Sequence, residues 1–167
     1  MAKVAERPPL SALYESDFRA WASRQADLLR ARRFDELDLD HLIEEVADLG
    51  VSERKTVFSH ARQVLQHLLK LQFSPAQWPR RNWIDSIVSH RTDLEERLTA
   101  SLRRELEAAM ADVYARARRD AAKGLMQDRI AERELPSECP YTLDQVLDPD
   151  WLPANRHGLD QDMPERG

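Results

Sequence analysis

The sequence predicts an all-α protein, and three observations predict it. Only four glycines occur in 167 residues, too few for a protein with many tight turns. Apolar residues make up 42% and charged residues 33%, which suits helices with one buried and one wetted face. Apolar positions recur every three to four residues almost throughout, and nothing alternates with period two over a useful length. The expected architecture is a single-domain bundle of about five main helices with short connections and antiparallel neighbours, closed by a short C-terminal helix and a docked strap.

Residues 1–12 contain Pro8-Pro9 and no amphipathic period, so they read as a flexible N-terminal arm; the polar residues 158–167 read as a flexible tail. Residues 13–157 are the expected helical-bundle domain. The first helix is predicted from about Ser16 to Arg33, with Phe18, Trp21, Ala22, Leu28 and Leu29 inward. An acidic turn, Asp35 to Asp38, can cap the second helix, whose inward residues are Leu39, Leu42, Ile43, Val46 and Leu49. Gly50 is placed to end that helix in a left-handed cap, and Ser52 to start the next. The third helix carries Val57, Phe58, Ala61, Val64, Leu65, Leu68 and Leu71, and Ser74-Pro75 ends it because proline disfavours helix in the residue before it.

A loop with Trp78 leads to the fourth helix, about Arg80 to Thr99, with Trp83, Ile84, Ile87, Val88, Leu94 and Leu98 inward. The fifth begins near Ser101 and presents Leu102, Leu106, Ala109, Met110, Val113 and Ala117, with Gly124 ending or bending it. Leu125 to Leu135 reads as one or two further turns. Beyond it, Tyr141, the single Cys139, Trp151 and three prolines bracket one short helical signal. Thr142 and Gln145 have capping-box spacing, so a short helix is expected over Leu143 to Leu147. The segment from Pro136 to Pro153 reads as a strap that buries Tyr141, Leu143, Val146 and Trp151.

Several separate motifs point to one family. They are Leu13-Tyr14-Glu15 with Asp17-Phe18, Leu42-Ile43-Glu44-Glu45 before Leu49-Gly50, and His67-Leu68-Leu69-Lys70. Trp83, Ser101-Leu102 and Glu138-Cys139-Pro140-Tyr141-Thr142-Leu143 follow in order. On these residues, over roughly Leu13 to Pro153, the chain resembles a bacterial all-α family catalogued as domain of unknown function 29. The resemblance implies an all-α fold and implies no reaction, because it brings no catalytic residue to carry over.

Composition narrows the partners. A net charge of −5 speaks against an extensive nucleic-acid surface. The basic residues are mostly arginine and are interspersed with acids, as on solvated helix faces. One cysteine makes no internal disulfide, and no apolar run is long enough to span a membrane. The expectation is a cytoplasmic protein with no membrane partner and no cofactor.

The residues that can carry chemistry fall into four groups. Glu44, Glu45 and Asp48, beside Asp40 and His41, share the spacing of the Glu-Glu-x-x-Glu motif of all-α nucleotide pyrophosphohydrolases, whose carboxylates hold Mg²⁺. That reading needs a second acidic helix, for which Asp93, Glu95 and Glu96 are the nearest candidates. A solvated acidic face is the favoured account. His60, His67 and His90 can form a zinc or nickel trio if their helices are neighbours, although packed histidines are the commoner outcome. Arg62 and His67 match a short Arg-x4-His pattern of helical ribonucleases, but about 140° of helix separates them. An ion-paired arginine and a core-lining histidine are favoured.

Arg91 falls within the apolar stripe of the fourth helix, where a guanidinium needs a partner; Glu44 or Glu45 is the expected one. The candidate polar cluster is therefore Glu44, Glu45, Asp48, His67 and Arg91, at a cavity that would be the natural ligand site. Cys139 reads as a structural thiol. No signature specifies an enzyme. The leading expectation is an interaction or assembly module that self-associates, most simply as a homodimer, with another protein as the alternative partner. A metal-dependent nucleotide hydrolase on Glu44, Glu45 and Asp48 is the second reading, and a ribonuclease on Arg62 and His67 the third.

Overall fold

The computed structural model describes residues 10–159, and these contain seven α-helices and no strand. They are α1 (Leu10–Ser16), α2 (Phe18–Arg30), α3 (Leu39–Phe73), α4 (Arg80–Arg97), α5 (Ala100–Ala108), α6 (Met110–Leu125) and α7 (Leu143–Leu147). Most of the arm and tail expected at either end lies outside the described residues; Leu10 to Ala12, assigned to the arm, open α1. The chain forms two compact units that divide between Ser52 and Glu53, and α3 supplies residues to both.

In the first unit the single helix expected from Ser16 to Arg33 is two. Asp17 separates them, because its carboxylate accepts a hydrogen bond from Ala20 N at 3.0 Å and starts α2 as an N-cap. α2 buries Trp21, Gln25 and Leu28. Phe18 and Leu29, expected inside, are exposed. The acidic turn is a short 3₁₀ segment, Phe34–Glu36, followed by Asp38, whose carbonyl accepts the Leu42 N–H in the first turn of α3.

The stop expected at Gly50 does not occur. α3 runs unbroken for 35 residues through Gly50 and Ser52. Glycine lowers helix propensity by about 1 kcal/mol but leaves its N–H and C=O free to continue the ladder, and no proline follows to break it. The consequence reaches the packing. Leu39, Ile43, Val46 and Leu49, expected to face a core, are exposed.

The second unit holds the large core. The α3 stripe predicted there is inside: Val57, Ala61, Val64, Leu65, Leu68 and Leu71 are buried, and Phe58 packs at the edge. α3 ends at Phe73, and Ser74 to Pro79 turns the chain into α4. Ile87 and Leu94 of α4 are buried, Trp83, Ile84 and Leu98 pack against the core, and Val88, expected inward, is exposed. The predicted fifth helix breaks at Ala109 into α5 and α6; Thr99, rather than Ser101, caps its start. Leu125 to Leu135 forms two 3₁₀ turns, Met126–Asp128 and Glu132–Glu134. α6 passes close to Lys70 at Gly124, where an added Cβ would lie 2.6 Å from Lys70 Cε.

The strap is docked. Leu143 and Val146 of α7 are buried with Tyr141, and Trp151 is half-buried with its ring edge-on to Tyr141 at 5.7 Å. Thr142 and Gln145 form the expected capping box. Polar anchors fix the path: Tyr114 Oη donates to Pro136 O at 2.7 Å and Tyr141 Oη to Gln72 Oε1 at 2.7 Å. Asn155 Nδ2 donates to Leu71 O and Ser74 O, covering carbonyls left free at the α3 C-terminus.

Candidate functional site

The acidic residues at the start of α3 and just before it divide by environment. Asp38 accepts hydrogen bonds from Trp21 Nε1 at 3.1 Å and pairs with His41 Nδ1 at 2.8 Å, while its own N–H donates to Gln25 Oε1 at 3.0 Å. Burial pushes the Asp38 carboxyl up, but the bonds from His41 and Trp21 outweigh it and hold it below the ordinary range. The same bond to Asp38 raises His41, against an opposing effect of burial. Tyr14 stacks on the His41 ring at 4.0 Å and donates to Glu45 Oε1 at 2.7 Å. That bond is the main reason its phenol is pushed up to about 12. Glu45 is thus engaged by Tyr14, whereas Glu44 and Asp48 are exposed.

Beside these acids lies the exposed apolar stripe. Leu39, Ile43, Val46 and Leu49 recur at helical spacing with exposures of 52%, 64%, 61% and 71%. Val51 is also exposed, on another face of the helix. Between Leu39 and Val51 the helix has four acids, Asp40, Glu44, Glu45 and Asp48, and no lysine or arginine. α2 has the opposite balance, with Arg19, Arg24 and Arg30 against Asp27, and it exposes Phe18 and Leu29.

Arg91 is buried, as its place in the α4 stripe requires, but its partner differs from the expected one. Nε donates to Val146 O, Nη1 to Trp151 O and Nη2 to Gln145 O, each at 2.9 Å. The guanidinium fork grips the backbone of the strap, with no carboxylate among these three acceptors. Burial lowers its pKa, opposed by the nearby charges of Asp148 and Asp150. Carbonyl oxygens freed at the end of a five-residue helix need donors as much as Arg91 needs acceptors, and backbone acceptors leave no trace in the side-chain pattern. Arg91 also lines a cleft of about 310 Å³ with Val88, Thr92, Glu95 and Leu98 of the α4 end and Leu147 and Pro149 of the strap. Of the predicted polar cluster, Glu44, Glu45 and Asp48 belong to the first unit, and His67 and Arg91 to the second.

The histidines of the second unit are partly brought together. His60 on α3 and His90 on α4 face each other with their Nδ1 atoms 2.9 Å apart, and Asp93 Oδ2 lies 3.5 Å from His60 Nδ1. Burial lowers His90, the His60 charge lowers it further, and Asp93 opposes both. These three form the grouping of metal-type donors that the described residues offer, all three ligand atoms lying within 4.8 Å of one another. His67 is outside it. Its Nδ1 is buried without a hydrogen-bond partner, and burial, then the charges of Lys70 and His90, lowers its pKa to about 4. Arg62, its companion in the ribonuclease pattern, is 3.8 Å from Asp120. The Cys139 thiol donates to Tyr141 O at 3.3 Å, and burial raises its pKa, so it is less reactive than a free thiol.

A family model described as "Domain of unknown function DUF29" matches residues 13–152. The chain belongs to this family. No curated protein and no solved structure matches it. No helix of the described residues is long and apolar enough to cross a membrane.

Two features of this DUF29 chain escape a reading of its sequence. Asp93 joins His60 and His90 because it lies one turn after His90 on α4, a spacing that signals nothing until the facing helix is known. The grip of Arg91 on the strap is equally silent, since carbonyl oxygens are present at every residue.

Proposed function

We propose that this chain is an interaction module that self-associates, and that the exposed apolar row of α3 is its surface. The observation that carries the reading is that row, Leu39, Ile43, Val46 and Leu49, exposed along a helix whose later apolar stripe is buried. With Phe18 and Leu29 the exposed apolar surface is on the order of 600 Å², the upper end of the largest patch an ordinary monomer exposes. Charge favours a second copy as the occupant. The acidic start of α3 is opposite in charge to the net basic α2, so two copies related by a two-fold axis can satisfy each other twice. Reciprocal packing of that surface buries on the order of 1,200 Å² from the two copies together, the lower end of the range for a specific pair.

Sedimentation velocity tests the reading. The unaltered protein is expected at twice the chain mass, and Ile43→Asp with Leu49→Asp at the chain mass with its helical content kept. Glu44→Lys, which reverses one charge of the flank, is expected to weaken the pair. A monomer at high concentration, or a double variant with the mass of the parent, would overturn the proposal. The hydrolase alternative on Glu44, Glu45 and Asp48 has less behind it, because Glu45 is engaged by Tyr14. The ribonuclease reading has the least, with Arg62 near Asp120 and His67 buried in its neutral form.

A further inference from the structure

We propose that His60, His90 and Asp93 form a binding site for a transition-metal dication, Zn²⁺ before others, between α3 and α4. Three observations carry it. First, the donors converge from two helices: His60 comes from α3, and His90 and Asp93 lie one turn apart on α4. Second, the spacing fits. Zn–N bonds of about 2.0–2.1 Å at tetrahedral angles place neighbouring donor atoms about 3.3 Å apart. The Nδ1 atoms are 2.9 Å apart, Asp93 Oδ2 is 3.5 Å from His60 Nδ1, and all three donor atoms lie within 4.8 Å of one another, so rotamer adjustments of the side chains can bring them onto one ion. Third, the two rings meet through their Nδ1 atoms, which aim both ring nitrogens at one point. Two neutral rings meeting through Nδ1 share a single proton, held by one ring and accepted by the other.

A metal ion replaces that shared proton. The ring that carried the proton on Nδ1 takes its Nε2–H tautomer, both Nδ1 lone pairs bind the ion, and no net proton is released from either imidazole. Asp93 contributes one carboxylate oxygen and one negative charge. Two imidazoles with one carboxylate suit zinc, cobalt or nickel better than Mg²⁺ or Ca²⁺, which prefer all-oxygen shells. The side chains of His60 and Asp93 retain 21% and 40% exposure, so a fourth coordination position opens to solvent and can hold water. Three protein ligands with one open position is the arrangement of a reactive zinc site rather than a closed structural one.

The test uses the full chain without an added histidine tag, stripped with chelator and titrated with Zn²⁺ alone by calorimetry. One equivalent is expected, with a rise in melting temperature that the occupancy of the folded state requires. His60→Gln and His90→Gln should each weaken binding at least about tenfold, and Asp93→Asn should weaken it less. His41→Gln and His157→Gln should leave the titration unchanged. Co²⁺ alone provides a readout on the unaltered protein that survives any misfolding of the variants. Visible bands of tetrahedral cobalt, without a sulfur charge-transfer band from Cys139, are expected. Nitrogen-15 spectra should show both His60 and His90 as Nε2–H tautomers once Zn²⁺ is bound. Unsaturable binding, a titration that persists in the His60→Gln/His90→Gln double variant, or a cobalt spectrum carrying the sulfur band would overturn the site.

Discussion

Between Glu53 and Phe73, α3 sinks Val57, Ala61, Val64, Leu65 and Leu68 into a continuous core; between Leu39 and Val51 the same helix leaves Leu39, Ile43, Val46 and Leu49 in water. The two stretches have the same apolar period, and each would pass as the inner face of a bundle helix. They differ in what lies against them. The later stretch is covered by residues of α4, α5, α6 and the strap, whereas the first unit buries chiefly Trp21, Gln25 and Leu28 of α2. An amphipathic stripe therefore specifies a helix and a face. Whether that face meets the chain's own core or another molecule depends on the rest of the fold.

The largest test of this contrast removes the strap. Truncation after Ser137 discards Tyr141, Leu143 and Val146, each worth roughly 2 kcal/mol of burial, together with every acceptor of Arg91. The melting temperature of the second unit, followed by circular dichroism, should fall by at least about 10 °C. An unchanged melting curve would mean that the core is complete without the strap.

Arg91→Ala should come next, at about 3–5 kcal/mol in urea unfolding, because three carbonyls lose a charged donor within the packed interior. Arg91→Lys should recover only part of this, since an ammonium cannot span three acceptors in the plane of a guanidinium fork. Full recovery would show that charge alone, and not the fork, holds the strap.

pH should separate the two units by the sign of its effect. His67, facing Lys70 and His90, has a folded-state pKa near 4, below its ordinary value of 6.5. The unfolded chain binds a proton there that the folded one refuses, so this contribution is complete above about pH 6.5 and is lost as pH falls toward 4. His41, facing Asp38, Glu44 and Glu15, is raised instead. Its contribution is complete below about 6.5 and is lost as pH rises through the raised value. The melting temperature of the second unit should thus drop on acidification, and less so in His67→Gln. The Trp21 indole N–H resonance, a reporter of the Asp38 bond, should weaken as pH rises. Responses of one sign in both units would contradict the assigned environments.

The smallest effect is a gain. Gly50 lies inside α3 with nothing within 4 Å of an added Cβ. Gly50→Ala should therefore stabilise the helix by about 0.5–1 kcal/mol, measured by hydrogen exchange across Leu49 to Ser52. Destabilisation would mean that Gly50 uses a conformation an alanine cannot adopt, as the helix stop expected from its sequence would require.

Much was legible because it is local. The helical class, the third-helix stripe, the Ser74-Pro75 stop and the Thr142–Gln145 box all follow from residues within a few positions of one another. Gly50 misled because a C-cap glycine and a mid-helix glycine look alike in sequence; they differ only in φ. Asp17 was overlooked because a capping aspartate inside a run of helix formers is indistinguishable from a solvated one until its side chain turns to Ala20 N. The expected cluster of Glu44, Glu45, Asp48, His67 and Arg91 joined residues by chemical need, and need alone does not select among acceptors.

By itself, the sequence determined that the chain is helical, where α4 and α7 lie, that the cassette after Pro136 buries Tyr141, Leu143 and Val146, and which family the chain belongs to. These depend on the apolar period, on capping side chains and on linear motifs, all encoded at short separation. Only the tertiary structure decided that α3 is one helix with a packed half and a bare half, that Arg91 clasps carbonyls of the strap, and that His60 meets His90 and Asp93. Such pairings span tens of residues. Their partners are either backbone atoms common to every residue or side chains aligned by the height at which two helices cross, and neither leaves a mark in local sequence.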